Sequence, residues 1–137
     1  EYIGKCKKML EVLCLTNHVI FHGKVDNLEE AYKKNHVLLM PTRMREPFGL
    51  VLIEAMNYGV VGIAPDDFGP AEIIDHGKNG FLVPAEDSEK LGNAIIYFFE
   101  LTSDEKKQIS NYSQKVSESF SMKKIGNEWQ NLLNTKK

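Results

Sequence analysis

Three continuous apolar runs alternate with segments of helical periodicity, and that alternation leaves few folds open. Val37-Leu38-Leu39-Met40, Val60-Val61-Gly62-Ile63-Ala64 and Phe81-Leu82-Val83 carry no charged residue. A strand with one face in water alternates apolar and polar side chains, whereas a strand covered on both faces does not. Val19-Ile20-Phe21-His22 predicts a further, earlier strand. Between and around these runs lie helix signals. Tyr2 to Leu15 has apolar residues at Ile3, Cys6, Met9, Leu10 and Leu13, a helical spacing. Asn27 caps a short helix reaching about Lys34, with Glu30 three residues on. Another helix runs from near Phe48–Gly49 to Tyr58-Gly59, and Gly69-Pro70 opens a short one. After Val83 the pattern is all helix, with starts at Asp87 or Ser88, at Thr102-Ser103-Asp104-Glu105 and at Ser121. Strands alternating with helices predict an α/β fold, a parallel sheet with helices on both faces.

The bulk properties narrow the function. A chain of 137 residues can bury a core of its own, and its net charge of −2 gives no dominant attraction to nucleic acid. Its longest apolar runs fall far short of the roughly 20 residues that span a bilayer, and the N-terminal residues carry no signal-peptide pattern. Glu1 rather than Met stands first, which reads as a processed product or a fragment. In a helical segment Cys6 and Cys14 would lie about 12 Å apart along the axis, too far for a disulfide. Both read as reduced, in keeping with a cytoplasmic protein. The four histidines, His18, His22, His36 and His76, lack metal-ligand spacing.

The chemistry concentrates in Glu46-Pro47-Phe48-Gly49-Leu50-Val51-Leu52-Ile53-Glu54. The strand ending at Met40 carries the chain to the carboxyl edge of the sheet, where ligands of such folds bind. Pro41 to Pro47 then forms the mouth of the site. The following helix begins near Gly49, and its first N–H groups favour an anion. Gly49 lets a ligand approach the backbone. Glu46 repels a phosphate but accepts hydrogen bonds from sugar hydroxyls. Glu54 lies about 7–8 Å along the axis from Gly49, a separation that suits the ribose of a nucleotide whose diphosphate caps the helix. The helix is apolar nearly all round, which predicts that Glu54 is buried and in need of partners. Spacing alone leaves a purely structural role for the two acids open.

The same residues resemble the retaining GT-B glycosyltransferases, in particular the group-1 family that uses nucleotide-diphospho-sugars. Glu46 to Glu54 is similar to its E-x7-E motif. Val19-Ile20-Phe21-His22-Gly23-Lys24-Val25 resembles its V-x-F-x-G-x-V segment, and Val37 to Thr42 its strand ending in Pro-Ser/Thr. Glu54-Ala55-Met56-Asn57-Tyr58-Gly59, Gly69-Pro70-Ala71-Glu72-Ile73-Ile74 and Gly77-Lys78-Asn79-Gly80-Phe81-Leu82-Val83 match further family motifs in order. The resemblance implies a Rossmann-like donor-binding half, with residues 1–100 as the nucleotide-sugar-binding core and 101–137 as C-terminal helices packed on it. It implies that Glu46 is the catalytic residue, positional and electrostatic rather than nucleophilic, contacting donor-sugar hydroxyls. Backbone amides around Phe48, Gly49 and Leu50 would hold sugar and diphosphate, Glu54 the ribose, and Gly23, Lys24 and Val25 would lie near the base. It further implies retention of anomeric configuration, no metal and no cofactor beyond the nucleotide-diphospho-sugar donor.

The family pattern is incomplete here. The N-terminal acceptor domain is absent, as are the two strands that separate Val19–His22 from Val37–Met40 in the family's strand order. That absence predicts a gap in the sheet or a new pairing, and little activity for this chain alone. Acceptor choice, and any peripheral contact with the inner membrane face, would belong to the missing half. The family often carries two glycines where Phe68-Gly69 stands. Two other readings remain: a non-catalytic nucleotide-sugar-binding or assembly module, and a GT-B sugar epimerase or phosphorylase. A phosphorylase of the glycogen type would use a pyridoxal cofactor, for which the sequence offers no clear site.

Overall fold

The computed structural model describes residues 1–135, so the last two residues of the expected 101–137 helical span lie outside it. In chain order it contains α1 (Tyr2–Val12), α2 (Leu28–Lys33), β1 (Val37–Leu39), α3 (Leu50–Asn57), β2 (Val61–Pro65), α4 (Phe68–Ile73), β3 (Gly80–Val83), α5 (Ser88–Glu100), α6 (Ser103–Ser119) and α7 (Met122–Asn134). The strands form one parallel sheet in the order β1-β2-β3. Val37 pairs with Val61 and Ile63 with Phe81 in the two ladders. Side chains of a strand point alternately to its two faces, and this alternation builds two cores. Val61, Ile63, Phe81 and Val83 meet Phe98 and Ile109 on one face. Ala64 joins Leu52, Met56, Ile73 and Ile74 on the other. Both faces of β2 are covered, which is why its run is apolar throughout.

The helix ends follow the sequence signals. The Asn27 side chain accepts from the Glu30 N–H at 3.1 Å, and Asp87 accepts from Lys90 at 2.8 Å. Thr102 and Glu105 complete a reciprocal capping box at the start of α6. Ser121 caps α7. Asn79 is fully buried, with Nδ2 donating to the Ile73 carbonyl and Oδ1 accepting from the Asp75 N–H, so it ties α4 to the turn before β3.

Two expectations fail. Val19–His22 forms no strand. Its side chains stand in solvent, Ile20 at 76% exposure. A strand needs a neighbour for its N–H and C=O groups, and this segment has none among the described residues. Among the described residues no new pairing forms, and β1 is a sheet edge. The predicted helix from Tyr2 to Leu15 ends at Val12, and Cys14 lies beyond it with φ of +56°. Cys6 and Cys14 are free thiols.

Candidate functional site at the amino end of α3

The loop between β1 and α3 is folded by its own side chains. Thr42 Oγ1 accepts from the Met44 N–H at 3.2 Å and donates to the Met44 carbonyl at 2.9 Å. The loop then turns at Gly49, whose φ of +98° lies in the left-handed region that favours glycine. α3 starts at the next residue. Glu46 reaches the start of this helix from behind: its Oε1 accepts from the Gly49 N–H at 3.0 Å and the Phe48 N–H at 3.4 Å. Oε2 of Glu46 has no hydrogen bond among the described residues. The first N–H groups of a helix have no intrahelical acceptor. Those of Leu50 and Val51 have none at all among the described residues. The helix therefore offers two free N–H donors at its positive end, one carboxylate beside them and one free carboxylate oxygen.

Against the expected roles, the Phe48 and Gly49 amides are engaged by Glu46, and Leu50 and Val51 carry the open donors. Val51 was not singled out by the sequence. Its signal was there, since an N-terminal glycine cap followed by two residues predicts orphan amides at both.

Gly69 locks the opposite wall. Its N–H donates to the Glu46 carbonyl at 3.1 Å. A Cβ at Gly69 would stand 2.3 Å from Phe48 Cα, so only glycine fits. Phe68 precedes it with φ of +47°, a left-handed conformation for a bulky residue. The Arg45 guanidinium lies over the Phe68 ring, 4.5 Å from its centroid. Arg45, Glu46, Asp67 and Phe68 line a narrow cleft of about 20 Å³. Beside it, at the carboxyl ends of the strands, a cavity of about 240 Å³ is lined by Met40, Thr42, Arg43, Pro65, Val83 and Glu86 among others. This is the strand edge where the sequence led the ligand to be expected.

Glu54 is not buried. α3 is covered by α6 and β2 along Leu52, Ala55 and Met56, all fully buried, while Leu50, Val51, Glu54 and Asn57 share the open face. Apolar composition all round does not bury a helix when elements cover only one side. Glu54 is instead held in place from below. The hydroxyl of Tyr32, on α2, donates to its Oε2 at 3.3 Å, and Tyr32 itself is buried and stacked on Tyr58. Burial, then the charge of Glu54, pushes the Tyr32 phenol above its ordinary 10.0, so it stays a donor at neutral pH. Sequence reading missed Tyr32, because a contact between residues so far apart in the chain leaves no local signal. Gly23, Lys24 and Val25 lie exposed in the loop before α2, with Lys24 paired to Asp26 at 3.4 Å. No hydrogen bond or ion pair among the described residues links them to Glu46 or Glu54.

Residues 3–116 match the family model for glycosyl transferases group 1. The chain belongs to that family. It is 33% identical over 134 residues to an exopolysaccharide phosphotransferase of Streptomyces coelicolor, covering 95% of this chain and 14% of that protein. It is 32% identical over 135 residues to the poly(glycerol-phosphate) alpha-glucosyltransferase of Bacillus subtilis, covering 98% of this chain and 20% of that enzyme. Among solved structures, Anabaena HepE in complex with UDP superposes with a TM-score of 0.90 at 27% identity, over 98% of this chain and 37% of HepE. HepE has also been solved with UDP-glucose. The chain thus spans well under half the length of the relatives it matches. The fold agrees with the Rossmann-like α/β architecture of GT-B glycosyltransferases, with C-terminal helices added. No helix among the described residues is long and apolar enough to cross a membrane.

Proposed function

We propose that this group-1 glycosyl transferase chain binds the donor of the transfer reaction, a nucleotide-diphospho-sugar, at the amino end of α3. The observation that carries the proposal is the pair of open N–H groups at Leu50 and Val51 next to Glu46 and its engaged amides. A diphosphate oxygen takes those two donors and gains from the helix dipole. The free Oε2 of Glu46 accepts from hydroxyls of the sugar on the same side. Glu54, one turn further along and fixed by Tyr32, accepts from the ribose hydroxyls. The exposed face of α3 leaves room for that ribose. Gly23 to Val25 then approach the base. The likeness to HepE, solved with UDP and UDP-glucose, supports a uridine diphosphate sugar as the first donor to test.

In this reading the residues bind and orient rather than form a covalent intermediate. Glu46 is committed to two backbone amides, which suits a fixed hydrogen-bond acceptor better than an attacking nucleophile. The transfer retains anomeric configuration and proceeds without metal or further cofactor. Departure of the diphosphate is eased by the N–H groups that already hold it. The acceptor is bound by parts of the protein outside this chain, and this chain alone transfers little sugar.

Calorimetric titration with UDP, GDP and ADP tests the proposal. One of them binds the wild-type chain, and Glu54→Ala weakens that binding about tenfold, the worth of a hydrogen-bonded pair to a charged group. Glu46→Gln leaves nucleoside diphosphate binding within about threefold but weakens the sugar-bearing donor more. Equal, weak binding of all three nucleotides, untouched by Glu54→Ala, rejects it.

A further inference from the structure

We infer that Arg45, whose guanidinium lies over the Phe68 ring, is an oxyanion-gripping residue of the donor site. The inference rests on the donor reading above and adds a cation to it. A diphosphate on the Leu50 and Val51 amides would stand close to the carboxylate of Glu46, which already occupies the neighbouring amides. Two anions so close repel unless a cation stands between or beside them.

Two arginines flank the site. Arg43 Nε lies 3.9 Å from Glu86. Both are exposed and both line the narrow cleft that Glu46 lines, but Arg45 has no acidic partner among the described residues. Its guanidinium is instead fixed by the Phe68 ring. A guanidinium stacked on an aromatic face keeps its N–H edge free, and that planar edge matches two oxygens of a phosphate or carboxylate.

The backbone gives the second observation. Phe68 adopts a conformation in which glycine is the relaxed residue, and it is an exposed ring, 40% accessible, rather than a core anchor. The resembling family often carries glycine at this position. Strain at an exposed aromatic is an outlier that core packing does not explain. Supporting the Arg45 fork does explain it. Gly69, clamped against Phe48 and bonded to the Glu46 carbonyl, fixes where that ring stands relative to the Arg45–Glu46 loop.

The ligand chemistry is an oxyanion, from either of two sources: the diphosphate of the donor, or a carboxylate on its sugar. Calorimetry with UDP, UDP-glucose and UDP-glucuronate on the wild-type chain, Arg45→Ala, Arg45→Lys, Phe68→Gly, Phe68→Tyr and Glu54→Ala separates them. Arg45→Ala is expected to weaken at least one ligand about tenfold and to flatten the salt dependence of its binding. An equal loss for all three ligands assigns the grip to the diphosphate, and a loss confined to UDP-glucuronate assigns it to the sugar carboxylate. Arg45→Lys recovers only part, because an ammonium lacks the fork. Phe68→Gly costs about threefold by freeing the guanidinium, and Phe68→Tyr keeps the affinity. Melting curves confirm that each variant is folded. If Arg45→Ala binds all three ligands within about twofold of wild type while Glu54→Ala still weakens UDP, the inference falls and the donor reading stands. If GDP or ADP binds in place of UDP, the same variants are read with that nucleotide and its sugar and uronate forms; if the wild-type chain binds no nucleoside diphosphate, both fall.

Discussion

At position 68 the backbone and the side chain pull in opposite directions. A left-handed conformation costs a residue with a Cβ about 1 kcal/mol relative to glycine. Phe68→Gly is therefore expected to be about 1 kcal/mol more stable than Phe68→Ala in urea unfolding, the reverse of the order at a helix interior. Equal stability of the two variants would mean that the position is not held left-handed. Asn79 shows the opposite balance. It is fully buried with both ends of its amide satisfied, so Asn79→Ala strands a backbone donor and a backbone acceptor and is expected to destabilise by about 2–4 kcal/mol. The motif carrying Glu46 was legible because glycine and proline punctuate it and an apolar run follows. The conformation of Phe68 was not, since nothing in the residue types announces φ. The Tyr32–Glu54 contact was hidden for another reason: it joins two elements that come together only in the folded chain.

At the scale of elements, local chemistry was readable wherever it acts within one turn. Asn27, Asp87, Thr102 and Ser121 all cap as their sequence contexts predict. The Thr102–Glu105 box has a pH signature. Hydrogen bonds from the Thr102 hydroxyl and then its N–H hold the Glu105 carboxyl below its ordinary 4.5. A depressed folded-state value means that the contribution is present above 4.5 and is lost as pH falls through the folded value. The melting temperature is thus expected to show an acid-side decline below pH 4.5 that is shallower in Glu105→Gln. An identical acid limb in both proteins would remove Glu105 from the account. The element that sequence misread, Val19–His22, failed because strand formation is a property of pairs. Its composition was suited to a strand, but among the described residues β1 has no other strand on that side. For α3 the composition misled about burial, because it is packing by α6 and β2 that decides which face is covered.

The whole molecule is uneven in how tightly it is held. Leu52, Met56, Ile63, Val60 and Val61 are sealed in the centre, whereas α1 buries no residue and leaves Ile3, Met9 and Val12 more than half exposed. Hydrogen exchange should show amides of α1 opening on the order of 100-fold faster than those of β2. Comparable protection in the two elements would mean that α1 is anchored by contacts the fold does not reveal. The site sits on the well-held part, at the start of α3 and the ends of β1 and β2, so its donors are fixed before any ligand arrives. Amide-resolved NMR titration with UDP reads out those donors one by one. At saturation the Leu50 and Val51 amides are expected to show the largest shifts, with the Glu54 side following along α3. Saturable UDP binding that leaves the Leu50 and Val51 amides unmoved would contradict this placement of the site.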